Sequence, residues 1–82
     1  MSKDHHVLLF NAHDETFREI RSFKTEAEAS AFYRGVHAAG KGTDVYPYRY
    51  PEDADELEEH NYKPAEMERA LAAVRAASGG DR

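Results

Sequence analysis

The sequence predicts an α+β domain, a three-stranded antiparallel sheet built in the order ββαβ with one packed helix, followed by a C-terminal helix. Three observations carry this: short β-rich runs near residues 6–12, 16–23 and 43–50, a capped stretch of helical period between the second and third, and a narrow apolar helical stripe after Pro64. A chain of 82 residues has room for one core, so residues 1–82 form one domain. Its parts are a ββαβ core (1–50), an acidic connector (51–62) with room for a helical turn, and the C-terminal helix (63–78).

The first strand is the apolar run from His6 to Ala12, closed by the polar turn His13-Asp14-Glu15. In the second, Thr16 to Phe23, the residues Phe17, Ile20 and Phe23 fit neither period cleanly, which predicts a strand with an irregularity near its centre. Thr25-Glu-Ala-Glu28 then matches a capping box, in which the Thr hydroxyl accepts from an orphan backbone N–H and Glu28 reaches back to the cap. Ala29, Phe32, Val36 and Ala39 follow at helical spacing with Tyr33 beside them, and Gly40 and Gly42 stop the helix.

The third strand, Thr43 to Tyr50, sets Tyr46, Tyr48 and Tyr50 on one side and Val45, Pro47 and Arg49 on the other. Pro47 has no N–H to give to a ladder, so this strand belongs at an edge. Placing it beside the first strand gives the order 2-1-3, with the most apolar strand central and both of its faces needing cover. The first helix covers one face; the second helix, with Met67, Ala70, Leu71, Val74 and Ala77 in its stripe, or another subunit must cover the other.

Over Ser22-Phe-Lys-Thr-Glu-Ala-Glu-Ala-Ser-Ala-Phe-Tyr-Arg-Gly35-Val36 the chain resembles small bacterial and phage accessory proteins of uncharacterised function, with their strand, Thr-capped helix and closing strand. The resemblance spans residues 17–50 and implies a phage-type accessory protein with no particular activity. The same segment is similar to the helix start in the arm-type DNA-binding domains of tyrosine recombinases. Those place three strands before the helix and carry a basic sheet face, neither of which this sequence provides.

Charge narrows the functional classes. The whole net charge of −5 arises after residue 50, and six acids crowd into one stretch: Glu52, Asp53, Asp55, Glu56, Glu58 and Glu59. Nucleic-acid binding needs Lys and Arg to neutralise phosphates, so it is disfavoured. The acidic stretch is either a solvated connector or a set of contacts for a basic surface of a partner, one that itself receives nucleic acid.

No residue pattern points to catalysis. The serines lie outside any nucleophile-elbow setting, the paired carboxylates sit in a solvated run, and Gly40-Lys41-Gly42-Thr43 leaves a helix and enters a strand, the reverse of a phosphate loop. The five histidines lack metal-binding spacing and are expected to be solvated surface groups, with no metal and no cofactor. Without cysteine there is no disulfide framework, and with no long apolar run or secretory leader the chain is expected to be cytoplasmic and away from membranes.

The tyrosine stripe has two readings: aromatics packed beneath a helix, or a binding face in which Tyr supplies contact area at low entropic cost. The expected function is a small non-catalytic protein-binding module, a phage-encoded modulator or inhibitor of a host protein, with a homodimer as a further association. Its contact set is Tyr46, Tyr48, Arg49, Tyr50, Glu52, Asp53, Asp55, Glu56, Glu58 and Glu59. The alternative is a nucleic-acid-binding regulator using the Tyr and Arg side chains of the third strand.

Overall fold

A computed structural model describes residues 4–39 and 44–79. The element order is β1 (His5–Asn11), β2 (Phe17–Phe23), α1 (Glu26–Ala39), β3 (Val45–Tyr50), α2 (Ala54–His60) and α3 (Pro64–Gly79). The strands form one antiparallel sheet in the order β2-β1-β3, as the sequence requires. Along β1, Val7, Leu8 and Phe10 are fully buried and Leu9 nearly so, which explains its central place. No helix among the described residues is long and apolar enough to cross a membrane.

The irregularity in β2 is a bulge, and it lies at Arg18 beside the strand's start and not near its centre. Leu9 pairs with Glu19 but Phe10 pairs with Phe17, so Arg18 is the extra residue and the two aromatic rings meet edge to face at 5.5 Å. Thr25 caps α1 as expected, its Oγ1 accepting from the Glu28 N–H at 3.1 Å, though the Glu28 carboxylate does not return the bond. The glycine stop at Gly40 and Gly42, and Gly80 beyond α3, lie outside the described residues.

The sheet is covered on both faces. Val7 and Leu9 pack with Ala29, Phe23, Phe32, Tyr33, Val36 and Val45 beneath α1. Leu8 and Phe10 pack with Leu57, Tyr62, Ala70, Ile20, Tyr48, Tyr50, Met67 and Val74 beneath α2 and α3. Two expectations need correction here. The stretch 51–62 is not a solvated connector throughout: it contains the helix α2, whose Leu57 is buried, and Tyr62 just beyond it stacks on Phe10 at 4.1 Å. A Leu and a Tyr five apart sufficed to draw the acidic segment onto the sheet, and Asn61 closes α2 in the left-handed conformation.

Nor are all histidines solvated. His6 is 2% exposed, with Nδ1 2.9 Å from Ser22 Oγ and Nε2 3.0 Å from Ser78 Oγ. Its even-numbered position on β1 turns it towards the face beneath α3. There two hydroxyls satisfy both ring nitrogens and tie the last turn of α3 to the sheet. Burial pushes its pKa down, with His5 adding to that and Asp4 and Glu52 opposing it.

Candidate functional site

The open edge of β3 carries a concave surface rich in convergent aromatic and titratable groups. Alternation along β3 turns Tyr48 and Tyr50 onto the core, while Tyr46, at the end nearest Phe10, remains 43% exposed. On the α1 side of the edge, Tyr33 and His37 stand one helical turn apart with rings stacked at 5.7 Å. On the other side, α2 places Glu56 and His60 at the same spacing, with the His60 ring edge-on to Tyr46 at 5.6 Å. Together with Pro47 and Tyr48 these side chains line a groove of about 400 Å³. A wider hollow of about 610 Å³ over Ser22, Phe23, Lys24, Glu28 and Ala31 brings together one ring and one opposed charge pair.

A polar string stiffens one wall of the groove. Glu15 Oε2 lies 3.3 Å from His60 Nε2, His60 Nδ1 lies 3.3 Å from the Tyr48 hydroxyl, and that hydroxyl lies 3.0 Å from the buried Tyr62 hydroxyl. Every group is satisfied when Glu15 takes the Nε2–H, Tyr48 donates to the bare Nδ1 and Tyr62 donates to Tyr48. His60 also stacks on Tyr62 at 4.0 Å. Burial raises the pKa of Tyr48, Tyr62 and Tyr33, with Glu56 adding to the rise at Tyr48 and Tyr33. The phenols of Tyr33, Tyr48 and Tyr62 therefore remain protonated at neutral pH, and the groove offers rings, hydroxyls and one carboxylate. Among the described residues no three His, Asp or Glu side chains are grouped to hold a metal ion.

The residues singled out in the sequence divide into two sets. Glu52 pairs with His5 at 3.1 Å, and Asp53 is folded back onto Arg49. Arg49 lies on the α1 face: Nε and Nη2 donate to Asp53 at 3.0 and 3.1 Å, Nη1 donates to Ser30 at 3.0 Å, and the guanidinium sits 5.0 Å from the Tyr33 ring centre. Tyr50 packs on the core beneath α2 and α3. Asp55, Glu56, Glu58 and Glu59 are exposed on α2, and of these Glu56 alone lines the groove, where it joins Tyr46 and Tyr48. Tyr33, His37, His60 and Glu15 were not among the sequence candidates. The i, i+4 pair Tyr33/His37 on α1 was a signal for the first two, and Glu56/His60 would have signalled His60 once 54–60 was read as a helix, while nothing local signals Glu15.

No family model, curated protein or solved structure matches this chain.

Proposed function

We propose that this chain is a small non-catalytic protein-binding module, a phage-type modulator or inhibitor of a host protein, which docks through the β3–α2 edge. The observation that carries the proposal is the groove itself. It sets the most exposed large aromatic, Tyr46, beside Glu56, so the aromatic stripe and the acidic stretch meet on one surface. Aromatic contact area ringed by charge is the usual make-up of an interface hot spot. The resemblance over residues 17–50 supports the phage-type reading. A nucleic-acid role through Tyr46, Tyr48 and Arg49 gains no support from the geometry, because Asp53 and Ser30 engage all three Arg49 side-chain nitrogens and Asp53 already pairs with the charge.

The proposal places the protein in the cytoplasm, with self-association as a second interaction. Because α2 and α3 already cover the second sheet face, a dimer would have to use other surface, and sedimentation over a concentration series measures it. The decisive test is affinity capture from host extract with wild type and Tyr46→Ala side by side. A host protein retained by wild type and lost from Tyr46→Ala supports the reading, and equal capture by both removes this edge as the interface. Association should also slow as salt rises, more weakly in a Glu56→Gln, Glu58→Gln, Glu59→Gln variant.

A further inference from the structure

Three times among the described residues an arginine lies over an aromatic ring and pairs with a carboxylate close by in sequence. Arg49 does so with Tyr33 and Asp53, at 5.0 Å to the ring centre and 3.0 Å to the carboxylate. Arg69 lies 6.0 Å from the Phe17 ring and 2.8 Å from Glu66, and Arg21 lies 5.8 Å from the Phe32 ring and 3.4 Å from Glu19. The negative face of each ring and the carboxylate attract the same guanidinium. The β3–α2 groove sets a further exposed ring, Tyr46, beside a further carboxylate, Glu56, while Arg49 already lies over the flanking Tyr33 ring. Tyr46 is exposed, Tyr33 and Tyr48 flank it, and Glu56 has no Lys or Arg at ion-pair distance among the described residues.

We infer that this groove is a receptor for an arginine side chain of the protein partner, its guanidinium seated against Tyr46 and paired with Glu56. The inference rests on the protein-binding reading above and names what that partner presents. Charge complementarity favours a cation: Asp55, Glu58 and Glu59 stand exposed on the same helix as Glu56, which lines the groove with Tyr33, Tyr46 and Tyr48. A planar guanidinium can stack on a ring and meet a carboxylate with two N–H groups at once; a lysine ammonium, a compact and strongly hydrated point charge, does neither as well. Pro47 removes an N–H from this edge, so side-chain capture is better suited to it than addition of a partner strand.

The test is a titration of the ¹⁵N-labelled full chain with capped Gly-Arg-Gly, Gly-Lys-Gly and Gly-citrulline-Gly peptides, followed by amide shifts. The arginine peptide should give saturable shifts at Tyr46, Tyr48, Glu56 and His60. The lysine peptide should bind about fivefold more weakly and the citrulline peptide, uncharged but of similar shape, not at all. Glu56→Gln and Tyr46→Ala, both at exposed positions, should each weaken arginine binding by about fivefold. Equal response to citrulline or lysine, or an arginine affinity left unchanged by Tyr46→Ala, would overturn the inference. Loss of a captured host protein from Tyr46→Ala with no arginine response would keep the protein-binding reading and sink the arginine site. Arginine-specific shifts with capture unaffected by Tyr46→Ala would do the reverse.

Discussion

Beneath α1, the sheet meets a single 14-residue helix whose Ala29, Phe32, Tyr33 and Val36 form a stripe spaced for burial, with Arg49 clamped to Asp53 at its edge. Beneath α2 and α3, the cover is a 7-residue helix and a 16-residue Ala-rich one, neither with a broad apolar stripe. That second face is held by a few large contacts and by polar ties between residues distant in sequence: Phe10 on Tyr62, His6 to Ser78, and the Phe17 N–H to Glu66 at 2.9 Å. A helix with a regular stripe can be docked by area alone. Two weak helices need specific anchors, and each anchor is a place where one substitution can release them.

The largest effect should come from Leu57, 1% exposed and the main apolar contribution of α2. Leu57→Ala should cost about 2–5 kcal/mol, a large share of what a domain of this size has, whereas Phe32→Ala, at a partly buried position of the α1 stripe, should cost less. Urea denaturation measures both. A loss under about 1 kcal/mol for Leu57→Ala with a reduced m-value would mean that α2 detaches without unfolding the sheet. Next in size is the clamp on the other face: Asp53→Ala strips acceptors from Arg49 Nε and Nη2 and from the Arg49 backbone N–H, and should cost about 1–2 kcal/mol. A negligible cost would show that Ser30 and Tyr33 hold Arg49 unaided.

The comparison also explains what could be read before any coordinates. The α1 face was legible because its signals are local: the Thr25 cap, the spacing of Ala29, Phe32 and Val36, and the alternation along β3. The strand order followed because Val7 to Phe10 is the only run apolar on both faces. The second face was legible in outline alone. Six acids at 52–59 masked a helix whose sole buried apolar residue is Leu57, and neither Ser78 nor Glu66 signals in sequence that it pairs with β1 or β2. The groove was half legible for the same reason: Tyr46, Tyr48 and Glu56 were among the candidates, while Tyr33, His37 and His60 join them only through the packing of α1 and α2 around the edge.

His6 gives the second face a pH dependence on the acid side of neutrality. Its pKa is lowered by burial, so between the folded and unfolded values the unfolded chain binds more protons. Stability therefore falls as pH drops through the unfolded value of about 6.5 and levels off below the folded one. The melting temperature of wild type should decline from pH 7 to pH 5 more steeply than that of His6→Gln, which retains a polar side chain but cannot titrate. Parallel declines would remove His6 as the cause.

The smallest effect, and the finest probe of the groove wall, concerns Glu15. Its φ of 61° places a non-glycine residue in the left-handed region, at a cost of about 1–2 kcal/mol that glycine would avoid. Glu15→Gly recovers that cost but loses the exposed contact with His60, worth about 0.2–1 kcal/mol, and adds freedom to the unfolded chain worth about 0.5–1 kcal/mol. These nearly cancel, so the single variant should lie within about 0.5 kcal/mol of wild type. His60→Phe keeps a ring against Tyr62 and Tyr46 and removes the partner of Glu15. In that background the contact is already gone, so Glu15→Gly should be more favourable by the contact's own worth, and a double-mutant cycle reads the difference directly. If the change is the same in both backgrounds, Glu15 does not hold His60, and the string from Glu15 to Tyr62 is a set of neighbours without coupling.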